Sequence, residues 1–289
     1  MSQRHTFLFW GALLLLGPSA SSQSATLFGK PSALDRAKAG KALWEEKCRT
    51  VAGEKIYRKV ENVEGLVLLK VRPQAGDREW ADPMWEGAAF AREARADEYI
   101  KTFLGYEEAF APDGKPRPIT PKYRGYINTT FKPGEKEFPG YRYVDVIEEK
   151  DGKRYRYTGS EKIVGRKNTS ALGVQMALQK NPNYDLNVYR WTLDKAAAPD
   201  TSLRYGVTYE DHVIPEDRAL GVATSTVKVL DLQTKEVLGE LVRYAWSVPA
   251  SSANPSPWLT AYTCPGHAES ANTTIRMFVD RILIPKKGN

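Results

Sequence analysis

A cysteine and a histidine stand three positions apart near the carboxyl terminus, in the segment YTCPGHAES at residues 262–270. Cys264 and His267 could supply two ligands to a metal, Cys264 could act as a thiol nucleophile, or it could form a disulfide with Cys48. A structural zinc ion takes four ligands, and the chain has only two cysteines and three histidines, of which His5 belongs to the leader described below. We therefore favour the disulfide and predict no metal and no cofactor.

A second candidate for chemistry is the segment YEDHVIPEDR, residues 209–218, which places His212 among carboxylates. A histidine held by a carboxylate can act as a general base, so His212 is the candidate catalytic residue of a hydrolase. The segment also fits a polar turn after a strand, in which Asp217 or Arg218 forms a surface ion pair. The chain contains no Gly-x-Ser-x-Gly elbow, phosphate-binding loop, dinucleotide fingerprint or His-Glu-x-x-His motif. We therefore interpret the protein as non-catalytic, with the hydrolase as the alternative.

The amino terminus indicates the compartment. Arg4 is followed by an apolar run from Phe7 to Leu16 and then by Pro18 and small residues, which is the pattern of a secretory signal peptide. The run is shorter than the roughly 20 residues that a membrane-spanning helix needs. We expect a signal peptide at residues 1–25, no transmembrane segment after cleavage, and an exported protein that is periplasmic or secreted. An oxidising compartment also favours the disulfide.

Positive charge is concentrated in one part of the chain. The whole sequence carries a net charge of +7, and residues 122–167 alone have an excess of five basic side chains, interleaved with tyrosines. Export argues against nucleic acid as the partner and favours an anionic envelope component or a protein partner. Alternating tyrosines and basic residues are also typical of a half-exposed strand. The candidate binding residues are Lys122, Arg124, Arg142, Arg154, Arg156, Tyr155 and Tyr157.

The first half of the mature chain is predicted to be mainly helical. Residues 31–48 form a helix capped by Ser32, and residues 82–104 form a second helix that begins at Asp82 and Pro83. The apolar run at residues 65–73 predicts a buried strand. Residues 112–140 are rich in proline and glycine and are interpreted as a long connection in which a binding loop could lie.

The second half is predicted to form an antiparallel sheet, so the fold class is α+β. Asp151 and Gly152 indicate a hairpin in which Glu149 faces Arg154. A second hairpin turns at residues 233–235. Strands are also expected in NVYRWTLDK and SLRYGVTYED, and the tail TTIRMFVDRILIP fits a strand or a short helix. Residues 26–289 are interpreted as a single α+β domain closed by the disulfide.

The segments LRYGVTYEDHVIPEDR and TVKVLDLQTKEVLGE resemble parts of uncharacterised exported bacterial proteins. The resemblance implies an exported α+β protein in which such a strand pair closes a β-rich domain, and it implies no activity. The sequence therefore predicts a non-catalytic binding or interaction protein of the bacterial envelope that recognises an anionic partner. The alternatives are a periplasmic hydrolase that uses His212 and a structural subunit of an envelope assembly.

Overall fold

The computed structural model describes residues 31–106, 125–127, 138–201, 203–266 and 272–287. The helices are α1 (Ala33–Thr50), α2 (Asp77–Ala81), α3 (Ala96–Leu104), α4 (Leu172–Lys180), α5 (Pro215–Ala219) and α6 (Thr274–Asp280), with 3₁₀ helices at Glu86–Phe90 and Pro257–Thr260. The strands are β1 (Gly53–Ile56), β2 (Val60–Val63), β3 (Gly65–Leu68), β4 (Tyr143–Ile147), β5 (Arg154–Arg166), β6 (Asn187–Ala197), β7 (Tyr205–His212), β8 (Val222–Asp231), β9 (Val237–Trp246), β10 (Tyr262–Cys264) and β11 (Leu283–Pro285). None of the described helices has the length and apolar character needed to cross a bilayer.

Nine strands form one large sheet in the order β1-β9-β8-β7-β3-β4-β5-β6, with β10 also paired to β9. The sheet is mixed and is not confined to the second half, because β3 from the first half lies in its centre, parallel to both β4 and β7. All four residues of β3 are buried, and a continuous apolar strand of this kind is typical of a parallel position covered on both faces. The other pairings in the large sheet are antiparallel.

The main core lies between one face of this sheet and the segments that cross it. Phe90 of the first 3₁₀ helix, Phe103 of α3 and Phe278 of α6 are all buried against Val144, Val227 and other apolar strand residues. The opposite face of β8 and β9 is covered by α1, where Trp44 packs near Val222 and Trp246. The two faces of the sheet therefore carry separate apolar layers.

The helix expected over residues 82–104 is broken into the 3₁₀ helix Glu86–Phe90 and α3. Between them Arg95 is extended and Ala96 has a positive φ of 46°. The buried Arg95 side chain donates to the carbonyl oxygen of Phe90 at 3.0 Å, and the amide of Ala96 donates to the carbonyl oxygen of Arg72. These tertiary bonds bend the chain so that both segments can bury their apolar residues on the sheet.

The hairpin between β4 and β5 exists, but its register differs from the prediction. Ile147, not Glu149, lies opposite Arg154, and the loop spans residues 149–152. Gly152 has a φ of +66° and donates its amide to the carbonyl oxygen of Glu148, which closes the longer loop. The hairpin between β8 and β9 is confirmed, with Asp231 and Glu236 joined across a turn that includes residues 233–235.

The amino-terminal helix and the disulfide are confirmed. The Ser32 side chain accepts a hydrogen bond from the amide of Asp35, and the Asp35 carboxylate reaches back to the amide of Ser32. Cys48 near the end of α1 is bonded to Cys264 in β10, with a Cα–Cα distance of 5.7 Å. The tail is both helix and strand, since it forms α6 and β11. His267, like most of residues 112–140 and all of residues 1–25, lies outside the described residues.

Candidate anion-binding pocket

A cavity of about 360 Å³ lies beneath the start of α1, between this helix, the end of α5 and the segment that follows β9. Its walls are mostly apolar, and its volume is within the range of small-molecule sites. The described lining residues are Ala33, Arg36, Ala37, Ala81, Pro83, Arg218, Ala219, Leu220, Gly221, Ser247, Val248, Pro249, Ala250, Pro257 and Trp258. An apolar cavity with one or two cationic groups has the composition expected for an amphipathic anion.

Small residues on one face of α1 form the roof of this cavity. Ala33 and Ala37 line the cavity, and Gly40, which follows them at helical spacing, is buried against the body of the protein. A Cβ atom at Gly40 would lie 2.0 Å from the carbonyl oxygen of Leu220, so the helix can approach this closely only because residue 40 is glycine. The disulfide at Cys48 and the packing of Trp44 hold the other end of the helix on β9 and β10.

The floor is built by the turn from α5 into β8. Gly221 has a φ of +75°, which favours glycine, and a Cβ atom there would lie 2.0 Å from the carbonyl oxygen of Ser247. The amide of Gly221 donates to the carbonyl oxygen of Arg218, and the amide of Ser247 donates to the carbonyl oxygen of Gly221. This tight turn fixes Arg218, the last basic residue of α5, at the bottom of the cavity.

Arg218 is the polar centre of the cavity. Its side chain is 3% exposed, and its guanidinium lies 5.4 Å from the centre of the Trp258 ring. One nitrogen, Nη2, donates to the carbonyl oxygen of Glu86 at 3.4 Å, whereas Nε and Nη1 have no hydrogen-bond partner among the described residues. Burial lowers the pKa of Arg218 to about 10, so the group is still charged at neutral pH.

Three further buried arginines lie beside the first 3₁₀ helix, at Phe90. Arg72 is paired with Asp211 at 3.2 Å and stacks 4.5 Å from the centre of the Phe90 ring. Arg243 approaches that ring at 4.9 Å and donates to the Thr263 hydroxyl at 3.1 Å. Like Arg95, whose contacts are given above, they are at most 8% exposed. Cation–π contacts and carbonyl acceptors thus stabilise much of this buried charge.

Two carboxyl groups stand beside Arg72, Arg95 and Arg243, those of Asp211 and Glu93. Burial raises the pKa of Glu93 to about 7, although Arg72 and Arg243 oppose the shift. Glu93 accepts a hydrogen bond from the amide of Ile275 at 3.2 Å through Oε1, while its Oε2 has no partner among the described residues. Arg218 itself stands near the carboxylates of Asp211, Asp82, Asp217 and Glu86, each of which opposes the lowering of its pKa. An anion in the cavity would therefore be attracted by Arg218 itself and not by a general excess of positive charge.

The predicted binding residues of the β4–β5 hairpin are placed on opposite faces. Arg156 forms a bidentate ion pair with the buried Asp145, at 2.7 and 3.1 Å, and Arg154 approaches the same carboxylate at 3.5 Å. On the other face the hydroxyl of Tyr157 donates to Glu148, and that of Tyr155 donates to Asp151. The structure therefore brings Arg154 and Arg156 together, but on an internal carboxylate.

The remaining predicted binding residues do not join this cluster in the described part of the chain. Arg142 lies 5.9 Å from the centre of the Tyr126 ring and lines an open groove with Asp194 and Ser160. Lys122 and Arg124 lie outside the described residues. Recognition of an anionic surface by these basic residues stays a prediction.

His212 lies at the end of β7, half-buried, with Nε2 3.1 Å from the Thr226 hydroxyl. Its neighbour Asp211 points to the opposite face of the sheet, because side chains alternate along a strand, and it is paired there with Arg72. Glu210 lies on the His212 face but approaches Lys228 at 3.7 Å. No hydrogen bond joins His212 to a carboxylate within the described residues.

Sequence reasoning missed Arg218. The segment PEDR predicts a polar turn with Asp217 or Arg218 in a surface ion pair, but Arg218 is buried. The available signal was the helix start at Pro215 followed by Leu220 and Gly221, which predicts a short amphipathic turn but not what covers it. The cover comes from α1 and Trp258, which are distant in sequence.

The chain matches no family model, no curated protein and no solved structure.

Proposed function

We propose that the protein is an exported binding protein of the bacterial envelope that takes a small amphipathic anion. The apolar part of the ligand occupies the cavity beneath α1, and its acid group is bound by Arg218. Export is supported by the leader pattern at residues 1–25 and by the disulfide between Cys48 and Cys264. The sequence predicts an anionic partner, and in this proposal that partner is a small molecule.

The observation that carries this proposal is the unpaired, buried guanidinium of Arg218. Buried charges are usually paired, since an isolated ion in the interior costs several kcal/mol. Arg218 is 3% exposed, lines a cavity and has two nitrogens without a partner among the described residues. A ligand acid group would supply the opposite charge and, once the side chain turns these buried nitrogens into the cavity, the missing acceptors. Charge-assisted hydrogen bonds of this kind are the strong ones.

The lining favours a monoanion with an apolar chain over inorganic phosphate. Only Arg218 is both cationic and buried among the described lining residues, while Arg36 is exposed at the start of α1 and donates to the carbonyl oxygen of Pro31. One guanidinium matches one carboxylate. The alanine, proline and valine side chains and the Trp258 ring would contact the hydrocarbon part and contribute about 25 cal/mol for each Å² of apolar surface removed from water.

The lining also supports binding over catalysis. Ser247 supplies the single hydroxyl among the described lining residues, and it donates to the carbonyl oxygen of Pro257 at 2.8 Å. A serine nucleophile requires an adjacent base, and neither a histidine nor a carboxylate is among these lining residues. The hydrolase alternative would have to use His212, which lies outside the cavity lining.

A thermal-shift panel tests the proposal. The purified protein is heated with octanoate, octanol, acetate and inorganic phosphate, and the same panel is run on Arg218→Met and on Arg166→Met, an exposed arginine of β5 that serves as the matched control. We expect octanoate to raise Tm more than octanol, acetate or phosphate does in the wild type and in Arg166→Met, because the ligand that binds the folded state most tightly stabilises it most. In Arg218→Met the octanoate shift should fall to about that of octanol. An equal octanoate shift in Arg218→Met, or a larger shift with phosphate, would refute the proposal.

A further inference from the structure

The outer edge of the large sheet is formed by β6, an unusually long strand. It extends over 11 residues, and among the described strands only β5 pairs with it. Strands average about five or six residues, and a long edge offers a row of backbone donors and acceptors to another strand. No proline interrupts β6. The backbone of this edge is therefore suited to pairing with a further strand.

The side chains of β6 are complementary to those of a second, antiparallel copy of the same strand. If a two-fold axis perpendicular to the sheet passes between the two copies of Thr192, Arg190 of each copy lies opposite Asp194 of the other. The same register places Trp191 opposite Leu193, two residues that already pack at the margin of the core. Opposite charges and apolar pairs directly across two strands stabilise a sheet.

Other registers lack this match. A perpendicular two-fold axis keeps each face of the sheet continuous, so it must pass between the two copies of one residue of β6. Moving the axis to Trp191 places Arg190 opposite Thr192, and moving it to Leu193 places Arg190 opposite Ala196. The axis at Thr192 is thus the one of these three that places Arg190 opposite Asp194.

The charges on this edge are accessible for such pairing. Arg190 is exposed and has no ion-pair partner among the described residues. Asp194 is held by Lys162 of β5 at 2.6 Å, and both side chains remain about half exposed. Lys162 lowers the pKa of Asp194, which keeps the carboxylate charged. Val188 and Tyr189, at the outer end of β6, are exposed apolar residues that a second chain would partly cover.

We propose that two copies of this chain associate through antiparallel pairing of their β6 strands about Thr192. The two large sheets then form one continuous sheet, and each copy contributes an Arg190–Asp194 ion pair to the interface. This assembly is independent of ligand binding beneath α1, because β6 and β9 lie at different ends of the strand order.

Charge reversal tests the pairing. Sedimentation velocity would be measured for the wild type, Arg190→Asp, Asp194→Arg, the double variant Arg190→Asp/Asp194→Arg, and Arg78→Asp as an exposed control on α2. We expect a dimer for the wild type and the control, at least a tenfold weaker dimer for each single variant, and recovery in the double variant, where both pairs are restored with reversed sign. A monomeric wild type, or a dimer that neither single variant weakens, would overturn the proposal.

A cysteine placed on the axis tests the register. Thr192→Cys should form an intermolecular disulfide on oxidation, since directly opposite residues of antiparallel strands have Cα atoms about 4.5–5.5 Å apart, within disulfide reach. Asn187→Cys is the control, because its two copies would be about 30 Å apart in this register. Equal cross-linking of both variants, or cross-linking of Asn187→Cys alone, would exclude the axis at Thr192.

Discussion

The guanidinium of Arg218 lies 5.4 Å from the centre of the Trp258 ring, and both side chains line the cavity beneath α1. Two nitrogens of this cation have no hydrogen-bond partner among the described residues, and the carboxylates that act on it, those of Asp211, Asp82, Asp217 and Glu86, form no ion pair with it. A cation–π contact of this kind is worth roughly 2 kcal/mol when it is desolvated, which is less than the cost of burying the charge. The position of Arg218 at the cavity floor is thus expected to lower the free energy of unfolding of the unliganded protein.

That cost predicts the effect of Arg218→Met on stability. Replacing a buried, poorly paired charge by an apolar side chain of similar length is expected to leave the free energy of unfolding unchanged or to raise it by about 1–4 kcal/mol in the absence of ligand. Urea denaturation at pH 7 measures it. A loss of more than about 2 kcal/mol would show that Arg218 has a structural role and would contradict the assignment of its charge to a ligand.

Gly40→Ala is expected to destabilise the protein, although alanine normally favours a helix by about 1 kcal/mol over glycine. The added Cβ atom would lie 2.0 Å from the carbonyl oxygen of Leu220 and 2.8 Å from Nε1 of Trp246, so α1 must move away. Overpacking costs typically 1–3 kcal/mol. Gly173→Ala in α4, where a Cβ atom meets nothing within 4 Å, is the matched control and should not destabilise. Equal stability changes in the two variants would show that α1 is not closely packed at residue 40.

The disulfide should stabilise the whole fold. Cys48 and Cys264 are 216 residues apart, so their bond greatly restricts the unfolded chain. The double variant Cys48→Ala/Cys264→Ala is expected to lose roughly 2–5 kcal/mol of unfolding free energy. Amide hydrogen exchange should show the largest local increase in α1, because the bond fastens its carboxyl end to β10. Unchanged exchange in α1 together with unchanged stability would contradict this role.

The buried carboxyl group of Glu93 should make the free energy of unfolding depend on pH. Its pKa is about 7 in the folded protein, raised by burial, whereas an unfolded glutamate titrates near 4.5. Between these values the folded state binds more protons, so this group's contribution to stability falls as the pH rises from about 4.5 to 7. Glu93→Gln should therefore match the wild type at pH 4 and be more stable by up to about 3 kcal/mol at pH 8, one pKa unit being about 1.4 kcal/mol.

Thermal unfolding of both proteins across this pH range checks the Glu93 prediction. The opposite result, a glutamine variant that is less stable at pH 8, would mean that Arg72 and Arg243 keep the Glu93 carboxylate ionised. Asp97→Asn, at the exposed start of α3, controls for the general loss of a negative charge.

Local patterns were sufficient to predict the elements that local interactions build. The Ser32 cap, the hairpin at residues 233–235 and the disulfide at Cys48 each depend on a short motif or on a residue count, and each is present. The broken helix was not predictable in this way, because the amide of Ala96 donates to the carbonyl oxygen of Arg72, which lies outside the predicted helix.

The candidate site depends on tertiary contacts that no local pattern contains. Arg218 stands among acidic residues in the sequence, and its burial follows from α1 and Trp258 packing around it. Conversely, Arg156 stands in a basic stretch that predicts an anion-binding surface, but its charge is neutralised by Asp145 on the neighbouring strand. Register decides this pairing, and the predicted register, with Glu149 opposite Arg154, was two residues away from the observed one.

The most direct measurement is a calorimetric titration of the wild type and Arg218→Met with octanoate and with octanol at pH 7. A charge-assisted hydrogen bond contributes about 1.5–3 kcal/mol, which corresponds to roughly a 10- to 100-fold change in Kd. We expect the wild type to bind octanoate, Arg218→Met to bind it at least about tenfold more weakly, and octanol binding to be the same in both. Octanoate binding that is unchanged by the substitution, or no binding by the wild type, would contradict an anion site at Arg218.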